Sequence, residues 1–208
     1  IDRKRKLPIT TLLYALGYSR KEILETFYDF ISFSYNKEDK TWQTKFNPDN
    51  YKRPIKIRND LINSKNGKIV LKKGSKINYP IAKKIFDDGL KSISYNSDYF
   101  IGKYIKSDII DPSTKESFLK SGSLIDQENI DKILSSNIHS IEIADVNPVT
   151  KGSYLIDTLN LDKNNSKEEA VNDIYKVLRP GEPPSFDVAY EIFNNLFFKS
   201  ERYDLSDV

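Results

Sequence analysis

The chain has no cysteine and no methionine, and only one histidine and one tryptophan among its 208 residues. Without cysteine, neither a disulfide framework nor a thiolate metal site is possible, and a single His rules against a histidine-rich zinc site. A reducing, cytoplasmic setting fits that inventory. No apolar run approaches the roughly 20 residues needed to cross a bilayer, and no signal-peptide pattern leads the chain, so no membrane partner is expected. Glycine-rich phosphate loops, Walker patterns and paired histidines on a helix face are also missing, which leaves enzymatic catalysis by this chain with little support. The lack of methionine, at position 1 above all, points to a piece of something longer.

What is present suffices for a sizeable core: 38% of the residues are hydrophobic and 12% aromatic, in a chain longer than the commonest single domain. The formal net charge of +3 is too mild to name a polyanionic partner by itself. Its distribution says more. Residues 1–28 sum to +3, residues 29–152 to +5 and residues 153–208 to −5. The opening IDRKRKLP holds four basic side chains in its first six residues.

Periodicity divides the chain into three sections. Thr10 to Leu16 places Leu12, Leu13 and Leu16 on one face and predicts a short helix closed at Gly17. Ser19 and Glu22 stand at capping-box spacing and Tyr18 can staple onto Ile23, so a second helix follows with Ile23, Leu24 and Phe27 apolar. Phe30 to Phe46, interrupted by NKEDK, reads as a polar-tipped β-hairpin. An internal duplication follows. GKIVLKKGSKINYPIAKKIFDDGLKSISY at 67–95 aligns, at a constant offset of 48, with KESFLKSGSLIDQENIDKILSSNIHSIEI at 115–143. Each copy predicts strand, Gly turn, helix and strand, with Asn78 and Asp126 as the helix N-caps. One copy cannot cover its own apolar face, so the two are expected to pack as one small domain. Ser166 and Glu169 form another capping box ahead of a helix through Leu178, RPGEPP ends it, and Ser185 can cap a last helix carrying Ala189, Ile192, Phe193, Leu196 and Phe197. The expected fold class is α+β. A helical domain is built from both chain ends, residues 1–28 and 153–208, and a β-rich duplicated domain, residues 29–152, is inserted between them.

Individual residues leave alternatives open. The lone His139 lies in a strand pattern beside Ile138 and Ile141, which favours a sheet-edge role over a general base. The DRKRK run reads as a solvated face or as a phosphate contact; a localisation tag is disfavoured because LPITTLLYAL follows directly and builds an apolar helix. In the phosphate-contact reading Arg3 and Arg5 supply forked hydrogen bonds to phosphate or a base edge, and Asp2 accepts from a base amino group. Arg179 is not needed to end its helix, although a cation there gains from the dipole. Stretches such as YNSDYFIGKYIKSD can stack on bases, yet interleaved Tyr and Lys also mark a half-buried β surface. A free-standing nucleic-acid-binding module and a small hydrolase using clustered carboxylates are the rival function classes.

IDRKRKLP at 1–8, RPGEPP at 179–184 and FF…ERYDLS at 197–206 resemble, in the same order, segments of the β subunit of bacterial DNA-directed RNA polymerase. The resemblance continues through ITTLLYALGYSRKEILETFY and DTLNLDKNNSKEEAVNDIYKVL. It implies that the chain is part of the β lobe, one wall of the downstream DNA channel, interrupted by a lineage-specific insertion at about residues 29–152. By the same resemblance, Asp2, Arg3 and Arg179 lie near the non-template strand in the open complex. Lys4 departs from the family, which often has a third Arg there, so bidentate contact is not carried over to it. The implied partners are DNA (non-template strand and downstream duplex), the β′, α and ω subunits and a σ factor. The implied activity is nucleotidyl transfer by the whole assembly. No catalytic residue or cofactor is expected in this fragment, since the magnesium-holding carboxylates belong to another subunit.

Overall fold

The computed structural model describes residues 6–146, 152–183 and 185–199. The chain divides into two compact units, Ile1–Asp29 with Asp145–Val208 and Phe30–Ala144. In chain order, α1 (Ile9–Ala15) and α2 (Arg20–Phe27) come first, followed by strands β1 (Phe30–Asn36) and β2 (Thr41–Lys45). Then come β3 (Ile55–Lys56), β4 (Leu61–Asn63), β5 (Ile69–Leu71), β6 (Lys76–Ile77), α3 (Tyr79–Asp87) and β7 (Ser92–Tyr95). Next are β8 (Ile109–Ile110), β9 (Ser117–Leu119), α4 (Gln127–Ser135) and β10 (Ser140–Ala144). Helices α5 (Tyr154–Leu161), α6 (Lys167–Leu178) and α7 (Phe186–Phe197) follow. The fold is thus mixed helix and sheet, with one large antiparallel sheet.

In the helical unit, α1 stops where Gly17 takes φ +100°, and the amides of Gly17 and Tyr18 return to Tyr14 O and Leu13 O. That pair of bonds is a Schellman cap, which satisfies the last carbonyls of the helix. The buried face of α1 differs from the leucine face read from the periodicity. Thr10, Thr11, Tyr14 and Ala15 are buried, whereas Leu12 and Leu13 are half-buried and Leu16 is exposed. The cause is polar. The Thr10 and Thr11 hydroxyls both donate to Asp162 Oδ2, at 2.5 and 3.0 Å. Asn164 donates its backbone N–H and its side-chain amide to Asp162 Oδ1, each at 3.0 Å. A buried hydroxyl needs such a partner, and a carboxylate is a strong one, so the helix rotates its threonines inward.

Helix α2 starts in a complete capping box. The Glu22 amide reaches Ser19 Oγ, and the Glu22 carboxylate accepts from the Ser19 amide at 2.7 Å. These bonds hold the Glu22 carboxyl below the usual carboxylate range. Arg20 ties α2 to the end of α5, donating to Leu159 O at 3.1 Å and to Asn160 Oδ1. Helix α6 buries Ala170, Val171, Ile174 and Tyr175, and α7 buries Ala189 and Phe193. Ser166 caps α6 through the Glu169 amide, but the returning Glu169 carboxylate bonds the Asn165 amide instead of the Ser166 amide. Ser185 stands at the N-cap position of α7 without a side-chain capping bond.

The second unit is built on a six-stranded sheet of order β10-β1-β2-β7-β4-β5, antiparallel at every pairing. β1 and β2 form the hairpin around NKEDK, turned with Lys40 at φ +52°. Asn78 and Asp126 cap α3 and α4, accepting from the Ile81 and Asn129 amides. The structural repeat is longer than the aligned segments. β4 pairs β5 as β8 pairs β9, and the Lys56–Lys76 partners of β3 and β6 recur as Tyr104–Leu124. Bonds recur too, at the offset of 48. Ile57 N–H to Ser75 O matches Ile105 N–H to Ser123 O, and Lys73 N–H to Asp60 Oδ1 matches Ser121 N–H to Asp108 Oδ1. Residues 55–95 and 103–143 are two copies of one fold.

Two apolar clusters follow from the two copies. Phe46, Ile57, Leu61, Ile77, Ala82, Leu90 and Ile93 make the first, and the second gathers residues including Phe33, Trp42, Phe100, Ile105, Ile130 and Ile141. Tyr95 and Tyr99 stack on each other at 4.0 Å and pack on the second cluster, and burial pushes the Tyr95 phenol up. Their rings are core material and not a base-stacking platform. His139 is exposed and lies just before the edge strand β10, its carbonyl accepting from the Tyr35 amide.

Candidate nucleic-acid interface

Arg179 is the one proposed DNA contact that falls among the described residues. Asp2 and Arg3, and also Lys4, Arg5, Pro184 and the ERYDLS segment, lie outside them. Arg179 follows the last residue of α6 and takes φ −127°, ψ 73°. Proline at 180 forces this, because its ring pushes the preceding residue out of helical geometry. The helix therefore ends with Arg179 on a turn: its amide still bonds Tyr175 O, and its carbonyl accepts from the Glu182 amide. Pro180 and Gly181, the latter at φ +90°, fill the middle of that turn as a type II geometry demands.

The turn is locked from behind. Tyr175 donates its hydroxyl to Glu182 Oε2 at 2.9 Å. The Glu182 carboxylate and partial burial raise the Tyr175 phenol above its ordinary value, and Arg179 opposes them. Sequence reasoning missed this bond. Its signal is a Tyr one turn before the helix end and an acid just past the Pro-Gly pair, which folds back onto it. Arg179 is exposed, and among the described residues no carboxylate forms an ion pair with it. A guanidinium carries five donors suited to phosphate or a base edge.

Asp2 and Arg3 precede α1 in the sequence. The Thr10 and Thr11 bonds fix the start of α1 to the loop that leads into α6. Twelve residues of α6 separate that loop from Arg179, about 18 Å of helix axis at 1.5 Å per residue.

Among the described residues, no three or more His, Cys, Asp or Glu side chains stand together as metal ligands. No helix among the described residues is long and apolar enough to cross a membrane.

No protein-family model matches the chain. It is 40% identical over 208 residues to the DNA-directed RNA polymerase subunit beta of Caulobacter vibrioides. It is 38% identical over the same length to that of Rhizobium leguminosarum bv. trifolii and 41% to that of Rickettsia massiliae. Each alignment covers 100% of this chain and 15% of the relative, so the chain spans about 15% of the length of the curated relatives it matches. With identity near 40% from end to end, the chain is homologous to one segment of the bacterial DNA-directed RNA polymerase β subunit.

Proposed function

We propose that this chain is the β-lobe segment of an RNA polymerase, a non-catalytic wall of the downstream DNA channel that serves DNA-directed transcription. The observation that carries the reading is the alignment of all 208 residues with polymerase β subunits at about 40% identity. Arg179 then contacts the non-template strand together with Asp2 and Arg3. The exposed position of Arg179 and the Tyr175–Glu182 bond behind its turn support this, since a held backbone lowers the entropy lost on contact. In this reading residues 1–28 and 153–208 form the lobe and residues 29–152 are its lineage-specific insertion. Nucleotidyl transfer belongs to the assembly with the β′, α and ω subunits, a σ factor joins it at promoters, and magnesium is held by another subunit.

Reconstituted polymerase carrying Arg179→Ala in β tests the reading through open-complex lifetimes on templates that differ by single non-template bases. Base-edge contact predicts losses that depend on the base, since a forked pair contributes roughly 1–3 kcal/mol of discrimination. Phosphate contact predicts a uniform loss that shrinks with added salt. Unchanged lifetimes at low salt on every template would sink the assignment of Arg179.

A further inference from the structure

The two structural repeats share a backbone but not a charge. Residues 52–91 carry a net +9 and the matching residues 100–139 a net −1. The excess concentrates where β3 and β6 pair. Lys56 and Lys76 are direct cross-strand partners, and Arg58 lies two residues past Lys56, just beyond the end of β3 and after the buried Ile57. All three are exposed, and among the described residues none is ion-paired. Lys72 and Lys73 lie in the adjoining turn, where the nearby Asp60 accepts from the Lys73 amide. Like charges placed directly opposite each other weaken a β pair.

The fold does not require this arrangement. In the second repeat the same two positions are Tyr104 and Leu124, joined by the same bridge. The counterpart of Arg58 is Lys106, and it is ion-paired with Glu142 at 3.0 Å. The first repeat keeps an unneutralised cation row that its own copy shows to be dispensable for folding.

We propose that the exposed row Lys56, Arg58 and Lys76 of the first repeat binds the phosphate backbone of nucleic acid, independently of sequence. Cross-strand partners lie about 5 Å apart, and residues two apart in the chain lie at most about 7 Å apart. That forms a compact cationic strip able to follow one phosphate strand and displace its counterions. The choice of nucleic acid over an acidic protein rests on the polymerase reading above, which brings DNA within reach of this chain.

The test is salt-dependent binding of the full 208-residue chain to a short mixed-sequence duplex DNA. The variant Lys56→Gln/Arg58→Gln/Lys76→Gln should lower the slope of log affinity against log salt by about 3, at 0.9 per phosphate contact, and weaken binding about 8-fold per lost contact at 0.1 M salt. It should also unfold at equal or higher urea, because a like-charge pair is gone, so weaker binding cannot be misfolding. The charge-matched variant Lys103→Gln/Lys115→Gln/Lys120→Gln should bind as the parent does. The proposal is overturned if the row variant binds like the parent, if both triple variants lose equally, or if polyglutamate competes better than DNA at equal charge. Loss with Arg179→Ala and none with the row variant would also overturn it, and would leave the proposed function standing.

Discussion

Replacing Phe30–Ala144 with a two-residue Asn-Gly turn should leave a folded five-helix protein. The structure supplies the geometry: Phe30 and Ala144 are register partners, and the Asp145 amide donates to Asp29 O at 2.8 Å. The cut ends are thus neighbours across an antiparallel pair, which is the gap that a two-residue turn of this composition closes. Bonds that join α1 and α2 to α5 and its flanks lie within the helical unit. They run from Thr10 and Thr11 to Asp162, from Arg20 to Leu159 and from Tyr28 to Gly152. Were the 115 removed residues a flexible loop, shortening them to two would stabilise the helices by about 3.6 kcal/mol. They are folded and hold their own ends together, so the gain lies between zero and that figure. Far-ultraviolet circular dichroism should show a cooperative transition no lower than the helical transition of the full chain, raised by at most roughly 20 °C. A shortened protein with helical signal but no near-ultraviolet signal and with strong dye binding would refute the division into two units.

Two further changes probe the scaffold. Asp162→Ala strips the acceptor from two fully buried threonine hydroxyls and from Asn164, and should cost about 3–5 kcal/mol by urea unfolding, with Asp162→Asn costing roughly half. A loss under 1 kcal/mol, within the range of an ordinary surface change, would mean the polar hub does not orient α1. In the other unit, Gly74 and Gly122 hold the matching turns at φ +86° and +74°, so Gly74→Ala and Gly122→Ala should each cost about 1–2 kcal/mol. Trp42 is the single tryptophan and fully buried, so its fluorescence follows that unit alone. Unequal losses, one large and one near zero, would argue against equivalent repeats.

Much of the scaffold was legible because it is written in local chemistry. The Ser19–Glu22 box, the Gly17 stop, the Asn78 and Asp126 caps and the NKEDK hairpin each need only a few adjacent residues. The duplication showed itself through apolar positions at a fixed offset, but its upstream part stayed hidden. β3 and β4 are two and three residues long, too short for any period to register. Extending the same offset would have matched Ile57, Arg58, Asp60 and Leu61 to Ile105, Lys106, Asp108 and Ile109. Helix α5 escaped because Ser153 makes no side-chain capping bond and Tyr154 and Leu161 are largely exposed. The buried face of α1 was misread, since hydrophobic spacing cannot anticipate a carboxylate some 150 residues away drawing threonines inward. At the candidate site, Arg179 stood out as a cation unexplained by helix termination, whereas the Tyr175–Glu182 bond depends on how the Pro-Gly turn folds back.

Photo-crosslinking in the assembled polymerase tests the central claim most directly. A photoreactive phenylalanine in place of exposed Pro183, on the Arg179 turn, is introduced into β, and open complexes are formed on a promoter with each DNA strand labelled separately. A lobe segment whose Arg179 turn faces the channel predicts an adduct on the non-template strand. Adducts confined to the template strand or to protein would contradict it.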